Sequence, residues 1–215
     1  MAKPNVDNIP PVEIIRGVTA KDGTTKAKIE RAALTLFSTH GIDGTSIKQL
    51  AGFAKISEGN MYRYYPSKYN LAETLMLTIH NRLTVLVRDI ESADSGFEDK
   101  IKALVHNYCT LADDDWQLFS YHLLHLHHFP QLFSPVGKTK RAKPLDTPVT
   151  ACADMLTAAM EHKDIPIGNT ELLASMTLGI VLQAAQSKIY NRLKGPLSTY
   201  APEFEKAIFA VLRNT

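Results

Sequence analysis

Apolar residues return at intervals of three and four along most of this chain, the period of a helix half sunk in a core. Ile29, Ala32, Ala33, Leu36 and Phe37 keep that spacing, and Gly41 stands where a helix would stop. Ile47, Leu50 and Ala51 mark a short second helix that Thr45 or Ser46 can cap. Ser57 can cap a third, ended by Pro66-Ser67. Ser67 then opens a long fourth helix over about 68–90, striped by Leu71, Leu75, Ile79, Leu83, Leu86 and Ile90. Further helices are predicted over 97–112, 114–128, 148–162, 169–193 and 202–213, the last with Pro202 at a favourable first position. The stretch 129–147 reads as an exposed, partly disordered loop rich in proline. No strand alternation and no internal repeat are seen. The predicted fold is all-α, about nine helices. It divides into a flexible N-terminal arm (1–23), a three-helix helix-turn-helix head (24–70) and a larger helical body (71–215).

Composition changes this picture little. The chain has 215 residues, 45% of them hydrophobic, enough to bury a sizeable core. Net charge is only +2, but its placement is uneven. Residues 24–70 carry seven basic and three acidic side chains, whereas 71–215 carry 14 and 16. One basic end suits a protein that touches phosphate with that end alone. Cys109 and Cys152 lack metal or redox spacing and read as buried apolar residues of a reducing compartment. No apolar run is seen to approach the roughly 18 residues of a membrane span, so no membrane partner and a cytoplasmic location are expected.

The chemistry concentrates in TSIKQLAGFAKISEGNMYRYYPSK, residues 45–68. Thr45 and Ser46 put hydroxyls at a helix start, where they and backbone N–H groups reach phosphate. Gly59 allows close backbone approach. Asn60 and Arg63 have the donors and acceptors to read adenine and guanine edges. Tyr62 and Tyr64 can bond phosphates or pack on sugar and thymine methyl groups. Ser57 caps this helix, and Lys55 and Lys68 add positive charge. A helix so polar and aromatic makes a poor core helix.

From Ile29 to Lys68 the order Ile29, Ala32, Ala33, Leu36, Phe37, His40-Gly41, Thr45-Ser46-Ile47, Leu50-Ala51, Ser57, Gly59, Met61-Tyr62, Tyr65 and Lys68 resembles the DNA-binding domain of the TetR family of transcriptional regulators. The resemblance implies double-stranded DNA with a palindromic operator as partner. It departs at Lys55, where the family usually has Gly, at Glu58, often basic, and at Tyr65, usually Phe. A lysine in a left-handed turn costs on the order of 1 kcal/mol. Tyr65 is expected to pack in the head with its hydroxyl at the edge.

The resemblance also implies that the last two helices pair across a two-fold axis in a homodimer. Apolar residues on more than one side of helix eight fit a second partner. Leu178, Val181, Leu182, Ala185, Ile189, Phe204, Ile208 and Val211 are the candidate contacts. A small apolar or amphipathic effector would be lined by Leu83, Val87, Tyr108, Trp116, Phe119, His122, His125, Met155 and Met176. His122, His125 and His128 share a predicted face, with His80 and His106 on neighbouring helices. With no carboxylate or cysteine in register, no metal is assigned. No cofactor and no catalytic set are expected. The reading is a homodimeric repressor released by its effector. The alternatives are a helical protein-interaction module or a histidine-dependent enzyme with a repurposed head.

Overall fold

Seven of the nine α-helices begin where a short polar side chain accepts from an N–H that the helix itself leaves unbonded. Thr24 accepts from Ala27 at 3.2 Å and opens α1 (Thr25–His40). Ser46 and Gln49 cap each other's backbones, at 3.1 and 2.8 Å, to open α2 (Ile47–Phe53). Ser57 opens α3 (Glu58–Tyr64) and Ser67 opens α4 (Lys68–Ser92) by the same bond. Asp115 ends α5 (Phe97–Asp114) and caps α6 (Trp116–His125) through the Leu118 N–H. A Thr147–Thr150 capping box opens α7 (Pro148–Glu161), and Asn169 caps α8 (Thr170–Ile189). Pro202 lies in the first turn of α9 (Ala201–Arg213). The structure, a computed structural model, describes residues 16–132 and 146–214. Among these the nine α-helices are joined by turns and short 3-10 segments, with no strand.

The stops are equally local. Gly41, at φ +75°, closes α1 by donating to the Phe37 carbonyl. Tyr65 is extended, as a residue before proline must be, and so α3 ends there.

α1 packs on α2, α4 and α6, and α4 runs on to pack along α7. α7 packs on α8, and α8 on α9. One continuous apolar core joins Phe37, Leu50 and Met61 of the head to Leu75, Ile79, Ile101 and Leu156 of the body. Each of these side chains is at most 1% exposed, worth about 2 kcal/mol of burial apiece.

Four expectations are corrected. The arm is not free throughout, because residues 16–20 dock on the head and Val18 is 1% exposed. Residues 1–15 lie outside the described set, as do 133–145 of the expected loop. At the start of that loop, Phe129 and Leu132 are buried rather than exposed. α6 ends at His125, and Leu126–His128 tighten into a 3-10 turn. α8 stops at Ile189, short of residue 193, because Asn191 turns left-handed at φ 56°. By length and composition alone α8 is long and apolar enough to cross a membrane, contrary to the expectation that no apolar run approaches that length.

Candidate nucleic-acid interface

α3 is seven residues long and anchors itself by one side chain, Met61, which is fully buried. The rest of its length is thereby turned outward. Tyr62 is 52% and Tyr64 42% exposed, Arg63 is exposed and Asn60 is half-buried. Gly59 is exposed, and a side chain there would meet nothing within the subunit. Ser46, Lys48 and Ser57 are exposed on the same small head. Within the described residues Lys48, Lys55 and Arg63 form no ion pair, so their charge is free for another partner. Lys55 does take the left-handed conformation, at φ 55°, between α2 and α3. The turn keeps the shape a glycine would give it and carries a cation at its tip.

Thr45 and Lys68 do not stand as expected. Thr45 is 1% exposed and donates to the Gly41 carbonyl at 2.8 Å, so its hydroxyl holds the turn before α2. The cap is Ser46. The Lys68 ammonium is half-buried and donates to the carbonyls of Asp43 and Thr45, at 3.0 and 2.9 Å. It pins the first turn of α4 to the turn before α2. Tyr69, which the sequence reading passed over, is exposed and donates to Asp43 at 2.7 Å.

Behind α3 lies a feature the sequence reading missed. Glu30 is fully buried. Its carboxylate accepts from the Val18 and Thr19 N–H groups at 2.6 and 3.1 Å, from the Thr19 hydroxyl, and from the Tyr65 hydroxyl at 2.8 Å. Burial alone would raise its pKa, but the bonds from Thr19, Val18 and Tyr65 outweigh burial and hold the group below the usual carboxylate range. Tyr65 is thus buried at 2% exposure with an occupied hydroxyl, not one at the edge. Burying Glu30 also removes a negative charge from the outer face, leaving that face more positive than the sequence total suggests. The signal was available: Glu30 lies three and seven residues before Ala33 and Phe37, on the apolar stripe.

The same segment ties head to body. Arg82 of α4 donates to the Val18 carbonyl. Arg31 of α1 donates to the Arg16 carbonyl and forms a two-point ion pair with Asp115, at 2.6 and 2.7 Å. His125 donates from Nε2 to the Phe37 carbonyl at 2.8 Å, while within the body Tyr121 donates to the Ala72 carbonyl at 2.8 Å.

The predicted effector residues differ in their placement. Leu83, Val87, Tyr108 and Phe119 are closed core, at most 3% exposed. Met155, also buried, lines a cleft beside residues 93–97 and His162. Trp116 lines a different cleft, and Met176 faces outward at 40% exposure. His122 Nε2 meets His80 Nδ1 at 3.2 Å with the rings stacked. Burial and then the neighbouring His80 push His122 down to about 3, and burial lowers His80 and His125. His106, His127 and His128 are exposed. Among the described residues no group of three potential ligands is placed to hold a metal.

The candidate dimer contacts are corrected likewise. Leu178, Val181, Ala185, Phe204 and Ile208 are at most 8% exposed, packed within the subunit. Leu182, Ile189 and Val211 keep partial exposure. The apolar surface that α8 leaves open is its other side, at Leu172 (57%) and Met176 (40%).

Comparison with known proteins gives this geometry a context. Residues 29–75 match the family described as bacterial regulatory proteins, tetR family. The chain is 34% identical over 89 residues to the HTH-type transcriptional regulator HbdR of Aromatoleum sp. (strain CIB), covering 40% of this chain and 38% of HbdR. It spans under two-fifths of the length of the curated relatives it matches. In fold it is similar to the fatty acid degradation regulator FadR of Bacillus halodurans, with a TM-score of 0.70 at 16% identity over 91% of this chain and all of that one. It is also similar to FadR of Bacillus subtilis, solved in complex with stearoyl-CoA, with a TM-score of 0.62 at 14% identity over 84% and 96%.

Proposed function

We propose that this chain, whose residues 29–75 match the tetR family of bacterial regulatory proteins, is a homodimeric repressor of transcription. It reads a palindromic operator with α3 and leaves it when a small effector binds. One observation carries the reading: a seven-residue helix that spends a single side chain on the core and presents Asn60, Tyr62, Arg63 and Tyr64 outward. That arrangement suits a major groove, where Arg63 and Asn60 have the groups to read base edges and the tyrosines pack on backbone. Ser46, Ser57, Lys48 and Lys55 then sit on phosphates. A two-fold dimer would present two such helices to two half-sites. Its contact would use the open side of α8 around Leu172 and Met176, together with Leu182 and Val211.

The effector acts by favouring one placement of the heads, which it does only by binding that placement more tightly. The bonds that would carry the change are His125 to Phe37 and Arg31 to Asp115.

The test is selection of bound genomic fragments by the purified chain at fixed moderate salt, with Tyr62→Ala/Arg63→Ala alongside. Recovery of a short palindrome by the native chain alone is the expected result. Enrichment of the same fragments by the double variant would sink the reading and favour a protein-interaction module. In sedimentation, Met176→Glu should shift dimer towards monomer.

A further inference from the structure

A cleft of about 720 Å³ opens where the head meets the body. That volume is in the range that encloses a drug-sized ligand. Thr35 and Ser38 of α1 line one side, Trp116 and Ser120 of α6 another, and Lys188 and Lys194 at the end of α8 and beyond it the third. Leu124 and Ile189 add apolar surface.

Its groups are incompletely used within the subunit. The Ser38 hydroxyl is buried and has no hydrogen-bond partner among the described residues, a costly state for a polar group. The Lys188 ammonium stands 4.8 Å over the Trp116 ring and only 3.8 Å from Asp113. Asp113 already accepts from the Leu197 and Ser198 N–H groups at 2.6 and 2.9 Å. Lys188 therefore retains donors for another acceptor. Lys194 forms no ion pair among the described residues, while the Tyr200 hydroxyl fixes its carbonyl at 2.9 Å. Two ammonium groups, an indole face and one unspent hydroxyl match one class of molecule: an amphipathic carboxylate with an aryl or alkyl body.

We infer that this cleft is the effector site and that it takes such a carboxylate. The acid group pairs with Lys188 and Lys194, the body lies on Trp116, and a hydroxyl or carbonyl of the ligand meets Ser38. The inference rests on the ligand-responsive reading above and gives it a place. Its walls belong to α1 on one side and to α6 and α8 on the other. The two head–body bonds also flank it: Ser38 follows Phe37, whose carbonyl His125 holds, and Trp116 follows Asp115, the partner of Arg31. A ligand touching both walls is sensitive to their separation, so it favours one placement of the head.

Trp116 is the chain's one tryptophan, so intrinsic fluorescence reports on the cleft itself. The full chain is titrated with 4-phenylbutyrate and with decanoate, each beside its alcohol. The expected result is a saturable change with an acid, at least about tenfold weaker with its alcohol and in Lys188→Met/Lys194→Met, since charge-assisted bonds are lost. Unchanged circular dichroism shows the variant folded. No saturable change with either acid, or equal responses from acid, alcohol and variant, overturns the inference. The fragment selection separates the two readings. A palindrome without acid binding overturns the cleft site and leaves the repressor standing. Acid binding that meets these criteria without a palindrome supports the site and removes the repressor.

Discussion

The two faces of the head contrast sharply. Its outer face, along α3, is made of side chains that the fold does not use: Tyr62, Arg63 and Tyr64 are exposed. Its inner face is made of groups that are fully committed: Glu30 accepts four close hydrogen bonds, and Thr45, Tyr65 and Lys68 each have partners within the chain. The difference teaches that a small head of short helices separates its duties by side. The inner face must hold geometry with few layers of packing, and does so with buried polar bonds. The outer face can then be chosen for what it meets.

The strongest way to break this comparison is to open the inner face. Glu30→Ala should cost about 3 kcal/mol in urea unfolding, because it strands the Val18 and Thr19 donors and the Tyr65 hydroxyl. Glu30→Leu combined with Tyr65→Phe removes both buried polar partners and should recover much of that loss. A single variant as stable as the native chain would show that Glu30 is not a keystone of the head.

The buried histidines of α4 and α6 should make the fold sensitive to acid. His80, His122 and His125 are held neutral by burial, so their folded values lie below the ordinary 6.5. The stability they permit is present above pH 6.5 and is lost as pH falls towards about 3 for His122. The cost is up to about 1.4 kcal/mol per pH unit for each histidine forced to charge. His122→Gln should flatten the stability curve below pH 6.5. A slope identical to that of the native chain would remove His122 from this role.

The outer face should behave in the opposite way. Tyr62→Ala/Arg63→Ala should weaken operator binding by about 1–3 kcal/mol per lost base or backbone contact, with the melting temperature unmoved. A large drop in melting temperature would place those side chains in the fold after all. The smallest effect is expected at the turn. Lys55→Gly should stabilise the chain by about 1 kcal/mol, since glycine takes φ 55° without strain. If Lys55 also meets phosphate, the variant binds DNA less tightly with a shallower salt dependence.

Much of this was legible along the chain. Ser57, Ser67, Gly41 and Pro66 act over three or four residues, so α3 and the start of α4 could be placed from sequence. The exposure of Tyr62, Arg63 and Tyr64 followed from their being too polar for a core. Thr45 was misplaced because two hydroxyls stood side by side at a helix start and only packing chose Ser46 as the cap. Lys68 was misplaced because two backbone carbonyls more than twenty residues away claimed its ammonium. Several candidate dimer contacts proved to be core of the subunit because a helix apolar all round does not say which side α7 and α9 will cover. The candidate pocket residues differ in exposure for the same reason: Leu83, Phe119 and Met176 look alike as apolar residues, yet two are core and one is surface.

The sequence by itself determined the helices, most of their starts and the side chains that α3 leaves exposed, because those depend on period, capping and local chemistry. Only the tertiary structure decided that Glu30 binds the N-terminal segment to the end of α3. It alone decided that His80 meets His122, and that α1, α6 and the end of α8 enclose a cleft. Those depend on residues tens of positions apart arriving at one point, and the burial that brings them there is a property of the packed whole.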